Sequence, residues 1–151
     1  MAVYLTADTH FGHTNIIKYC GRPFNTVEEM NESLISNWNK VVKVDDIVIF
    51  LGDLCFKDNI YTWLAKLNGD KLLIRGNHDK VGEPDTRFEY KNEMFILTHR
   101  MIPLVGRNIW NIHGHSHNKG ILIDKENKSM CVSIELTGYT PIFIDKLLSM
   151  R

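Results

Sequence analysis

Five short apolar runs in this chain each stop at a cluster drawn from Asp, Asn, Gly and His. Residues 2–7 run into Asp8-Thr9-His10, residues 47–51 into Gly52-Asp53, and residues 71–75 into Gly76-Asn77-His78-Asp79. Residues 94–98 run into His99, and residues 108–113 into Gly114-His115-Ser116-His117. Apolar runs of this length read as strands. A glycine at a strand end lets the chain turn with no Cβ in the way. The pattern therefore asks for a fold that gathers five strand ends at one place. Open α/β sheets place their ligands at that carboxyl edge.

The segments between the runs agree. Thr26-Val27-Glu28-Glu29 has the form of a capping box. Met30, Leu34, Ile35, Trp38, Val41 and Val42 then recur at helical spacing, which predicts one long amphipathic helix ended by Asp45-Asp46. Ile60, Trp63, Leu64 and Leu67 predict a second helix, stopped by Asn68-Gly69, and residues 15–18 a single helical turn. Strands alternating with helices imply parallel crossovers in the first half. The second half predicts strands over residues 88–90, 94–98 and 108–113. It also predicts a hairpin that joins residues 121–123 to residues 130–136, and a last strand over 142–144 before a short helix. The expectation is an α/β fold with two sheets, parallel at the centre and antiparallel toward the edges, with helices outside. Trp38 and Trp63 are expected in the core, and residues 80–86, with Gly82 and Pro84, form the expected mobile loop.

With 151 residues the chain has the size of one domain, residues 1–151. Its 18 basic and 18 acidic residues cancel, so no global field draws it to nucleic acid or a membrane surface. No apolar run approaches the roughly 20 residues that span a bilayer, and no signal peptide is evident. Cys20, Cys55 and Cys131 are odd in number and lack C-x-x-C spacing, so reduced thiols in a cytoplasmic protein are expected.

All seven histidines lie in or beside the strand-end clusters, and none on the two predicted long helices. With Asp8, Asp53, Asn77 and Asp79 they offer more donors than one tetrahedral zinc needs. Carboxylates, imidazoles and an amide oxygen suit a pair of divalent first-row metals. His13 and His113 read as hydrogen-bonding or simply buried residues.

Asp8-x-His10, Gly52-Asp53, Gly76-Asn77-His78-Asp79, His99 and Gly114-His115-x-His117, in this order, resemble the motif set of the calcineurin-like metallophosphoesterases. The resemblance implies a four-layer α/β/β/α sandwich of two mixed sheets flanked by helices, and a dinuclear site. Asp8, His10, Asp53 and His117 would hold one metal. Asp53 would bridge to the second, held also by Asn77, His99 and His115. His78 would be the catalytic histidine, held by Asp79. Manganese is the expected ion, with iron, zinc, nickel or cobalt as alternatives. The chain departs from larger members in having no inserted cap domain.

Two cations would lower the pKa of a shared water and clamp the oxygens of a displacement at phosphorus. His78 would protonate the leaving alkoxide. Arg22, Arg100 and His13 are candidate substrate contacts. The expected activity is hydrolysis of a small phosphate ester or nucleotide, phosphodiesters preferred, without membrane or stable nucleic-acid binding. The alternatives are a phosphomonoesterase, a nuclease of the break-repair type, against which the short neutral chain speaks, and a non-enzymatic scaffold on the same fold.

Overall fold

The computed structural model describes residues 1–103 and 108–151. In chain order, the first half holds β1 (Val3–Thr6), α1 (Ile16–Tyr19), α2 (Val27–Val41), β2 (Ile47–Leu51), α3 (Ile60–Leu64) and β3 (Asp70–Ile74). The second holds β4 (Thr86–Tyr90), β5 (Glu93–Leu97), β6 (Trp110–His113), β7 (Ser129–Cys131), β8 (Ile142–Phe143) and α4 (Ile144–Leu148). One sheet has the order β3-β2-β1-β8 and the other β4-β5-β6-β7. Both are mixed. β1, β2 and β3 run parallel with β8 antiparallel at the edge. β5, β6 and β7 run parallel with β4 antiparallel. Two mixed sheets flanked by helices are the architecture the sequence predicts.

Alternation along the strands assigns each side chain to one of two cores. Leu5, Ile49, Leu51 and Ile74 face Phe95, Leu97, Ile112 and Met130 of the other sheet. Val48 and Phe50 point the opposite way, onto Met30, Leu34 and Trp38 of α2. The capping box forms, one residue displaced. Thr26 Oγ1 accepts from the Glu29 amide, while the Glu29 carboxylate reaches the Asn25 amide in place of that of Thr26. The helix ends at Val41, and Asp46 fixes its exit by accepting from the Lys43 and Ala2 amides.

Four expectations need correction. α3 is a single short helix with no fully buried residue. Trp63 on it is half-buried, stacked on Phe11 at 4.7 Å with its indole N–H on Asp58. The predicted strand over 130–136 shortens to β7, because the chain then leaves β6 and bridges to the end of β1, Ala7 to Ser133. Residues 121–123 form no strand, and the hairpin reduces to one bridge between Asp124 and Ser129. The loop over 80–86 is tethered: Glu83 bonds Leu73 and Arg75 through its backbone.

The two tryptophans therefore separate. Trp38 is fully buried, with its indole N–H on the Asn68 carbonyl. Trp38→Ala should cost about 3–5 kcal/mol in denaturant unfolding, and Trp63→Ala clearly less. A larger loss for Trp63→Ala would contradict this division of the core.

Candidate metal centre

The strand ends converge through unusual backbone. Asp8, His10, Asp53, His115 and His117 all have positive φ, between 49° and 69°. That region costs a residue with a Cβ about 1–3 kcal/mol and collects at functional sites. Two glycines allow the loops to close on each other. A Cβ on Gly52 would lie 2.7 Å from the Gly76 Cα and overlap the His99 ring, and one on Gly76 would overlap the Asp53 carboxylate. Backbone bonds lace the ends together: Asp8 to Gly52, His10 to Asp53, and Gly114 to His99.

Of three donor groups among the described residues, two meet at the strand ends: Asp8, His10 and His117 form one, and Asp53, His99 and His115 the other. The Asp53 Oδ2 lies between them, 3.3 Å from His99 Nε2 and 3.6 Å from His10 Nε2. Asn77 joins the second group, its Oδ1 2.9 Å from His99 Nε2, and His115 Nδ1 is 3.2 Å from the same atom. His99 Nδ1 donates to the Leu51 carbonyl, which turns Nε2 toward the cluster. Asp8 Oδ2 accepts from the His115 amide and from Ser133 Oγ. Its Oδ1 and both His10 nitrogens are buried with no hydrogen-bond partner. Buried polar atoms are normally paired, and leaving them bare is costly. Bare oxygen and imidazole nitrogen facing each other suit a divalent cation, so the residues present fit metal ions.

The electrostatics point the same way. Burial raises Asp8 to about 6. Burial also works against Asp53, but the His99 hydrogen bond, the His78 amide and neighbouring imidazoles hold its pKa low. Burial lowers His10, with the Asp53 charge opposing. His117 goes the other way: burial lowers it, yet hydrogen bonds with Cys20 and Glu135 and the Asp8 charge raise it to about 10.

The remaining candidates are distributed unevenly. His78 stands at the mouth, its side chain 47% exposed and its Nε2 4.0 Å from Asp53 Oδ2. Its amide donates to Asp53 Oδ1. Asp79 is corrected: its carboxylate does not hold the His78 ring but accepts from the Asp53, Leu54 and Gly76 amides. Three backbone donors outcompete one exposed imidazole. Arg22 is corrected as well. It is neither a phosphate contact nor a surface residue, since its guanidinium is buried on Glu135 and on the Asp8 and Thr9 carbonyls. Arg100 is exposed, and its charge is felt at His115. His13 accepts the Ile16 amide on Nδ1 and packs on Phe56, 5.7 Å from the His10 ring. His113 is buried, with Nδ1 on the Gly114 carbonyl. Sequence reasoning missed Ser133 and Glu135. The available signal was Glu135 itself, a carboxylate inside the apolar run Ile134-Glu135-Leu136.

A cation at this cluster would compete with a proton. The His117 pKa of about 10 lies above its reference of 6.5. Its contribution to the stability of metal-free protein is thus complete below pH 6.5 and fades as pH rises toward 10. Cation binding needs the neutral ring, so Mn²⁺ affinity should rise over the same window with release of protons. Calorimetry at pH 6, 7 and 8 in buffers of different ionisation enthalpy checks this. Affinity independent of pH, with no proton release, would contradict it.

Comparison with known proteins places this geometry. An uncharacterized protein of Methanocaldococcus jannaschii is 45% identical over 98% of this chain and 90% of its own length. The gene 66 protein of Mycobacterium phage L5 is 36% identical over 50% of this chain and 39% of its own. The crystal structure of a protein of unknown function from Aquifex aeolicus superposes with a TM-score of 0.78 over 99% of both chains, at 23% identity, and so shares the fold. A model of the calcineurin-like phosphoesterase family matches residues 1–147. The chain belongs to the calcineurin-like phosphoesterase family.

Proposed function

We propose that this chain hydrolyses phosphate esters, phosphodiesters ahead of monoesters, with two divalent metal ions and His78 as the general acid. One observation carries the dinuclear reading: the Asp53 carboxylate oxygen lies within 3.3–3.6 Å of an imidazole from each donor group. Asp8, His10 and His117 would hold one ion and Asn77, His99 and His115 the other, with Asp53 shared. Manganese suits this mixed oxygen and nitrogen set, and iron, zinc, nickel and cobalt are its competitors. Such ions, when bound, supply Lewis-acid polarisation of the phosphoryl group and lower the pKa of water.

The chain's own residues do the rest. His78 is exposed at the mouth, with its backbone pinned to Asp53, so its ring can reach a leaving oxygen. Imidazole is the side chain best suited to pass a proton near neutral pH. Exposed Arg100 beside His99 is the cation for a phosphoryl oxygen, and His13 lines the rim. The exposure of Asn77 and His78 leaves room for an ester with a second substituent, which favours diesters. The substrate is thus a small phosphate ester or nucleotide. Among the described residues no helix is long and apolar enough to cross a membrane. A cytoplasmic location belongs to the proposal, motivated by three free, buried cysteines.

His78→Ala should slow hydrolysis of a diester with an alkoxide leaving group by about 10²–10⁴-fold, the usual worth of general acid–base help. A nitrophenyl diester, whose leaving group needs no proton, should lose far less, and metal content should be unchanged. Equal losses on both substrates with metals retained would overturn proton donation by His78. Faster turnover of monoesters than of matched diesters would overturn the diester preference.

A further inference from the structure

We infer that Glu135, locked in place by the buried Arg22 guanidinium, is the positioning residue that presents His117 to its metal ion. The inference rests on the reading of His117 as a ligand. One oxygen, Glu135 Oε1, takes three donors: Arg22 Nε at 3.0 Å, Arg22 Nη2 at 2.7 Å and His117 Nδ1 at 2.9 Å. A carboxylate can only accept, so Nδ1 is the nitrogen that donates to it, and once the ring is neutral the lone pair lies on Nε2. A ligating imidazole needs its tautomer and ring plane fixed in this way.

The same guanidinium reaches the other ligands of that group. Arg22 Nη2 donates to the Asp8 carbonyl at 2.6 Å and Nη1 to the Thr9 carbonyl at 2.8 Å. It therefore grips the loop that carries Asp8 and His10. Two residues before Glu135, Ser133 Oγ donates to Asp8 Oδ2 and accepts from the His117 amide. Residues 133–135 and Arg22 together touch Asp8, Thr9 and His117, and their own side chains are almost wholly inaccessible.

Two plainer readings are weaker. A buried Arg–Glu pair adds little stability over an apolar pair of similar volume, so stability alone does not call for it. Cys20, His117 and Glu135 also lie close enough together to suggest a third cation site. The Arg22 guanidinium 2.7 Å from Glu135 already supplies the positive charge there, and a second cation would be repelled.

The test measures Mn²⁺ binding by calorimetry on the full chain, with melting in chelator as the control for folding. Arg22→Met/Glu135→Leu replaces the pair by apolar side chains of similar size. It should weaken one of two Mn²⁺ equilibria by about 10–100-fold and leave the other unchanged. Glu135→Gln keeps an oxygen that can take all three donors, so it should restore most of that affinity. Wild-type affinity at both sites in the double variant would overturn the inference, as would a Gln variant no better than the double variant. His117→Ala tells the underlying reading apart. It should abolish one equilibrium, and if it binds like wild type, His117 is no ligand and the parent assignment fails.

Discussion

The rest of this structure depends on keeping one carboxylate, that of Asp53, out of water. The residue is almost wholly buried, and an isolated buried charge costs far more than a fold of this size can spare. Every feature around it supplies compensation. Oδ1 accepts the His78 amide, Oδ2 faces His10 and His99, and the Asp53 amide is held by Asp79. The loop 76–79 therefore cannot shift without exposing Asp53. The backbone that carries the exposed His78 ring is held by a partly buried hydrogen bond from its own amide to Asp53.

The sheets hold what the loops strain. Five proposed ligands adopt left-handed backbone, each at a cost of order 1–3 kcal/mol. Parallel pairing of β1, β2 and β3 fixes where residues 7, 51 and 75 emerge. The shared core of Leu5, Leu51, Leu97 and Ile112 fixes the second sheet against the first. The bridge from Ala7 to Ser133 ties the two sheets at the metal side. That bridge also delivers Ser133 and Glu135 to Asp8 and His117. The segment that follows β7 is thus joined to the residue that follows β1.

The motif residues were legible because each sits at the end of an apolar run, where side-chain type and local backbone coincide. The two cores were legible from strand alternation and from the helical spacing of Met30, Leu34 and Trp38. What escaped involves partners distant in sequence. Arg22 and Glu135 are separated by 113 positions, and nothing local marks an arginine as buried. Asp79 carries the same residue type whether it grips His78 or the backbone amides of residues 53 and 54. Only the approach of β2 to β3 decides between them. Helical spacing marks Trp63 as part of a packed face but does not say how deeply that face packs. β7 is shorter than its apolar run because the chain beyond Cys131 is apolar for a different reason: it crosses between sheets.

The account stands or falls on Asp53 joining two metal positions. The most direct measurement is elemental analysis of protein loaded with Mn²⁺ and freed of excess, for the natural sequence and for Asp53→Asn. The account predicts two ions per chain in the first and depletion at both positions in the second, because a shared carboxylate is removed. One ion or none per chain in the natural protein would contradict it, as would an Asp53→Asn variant that keeps both ions.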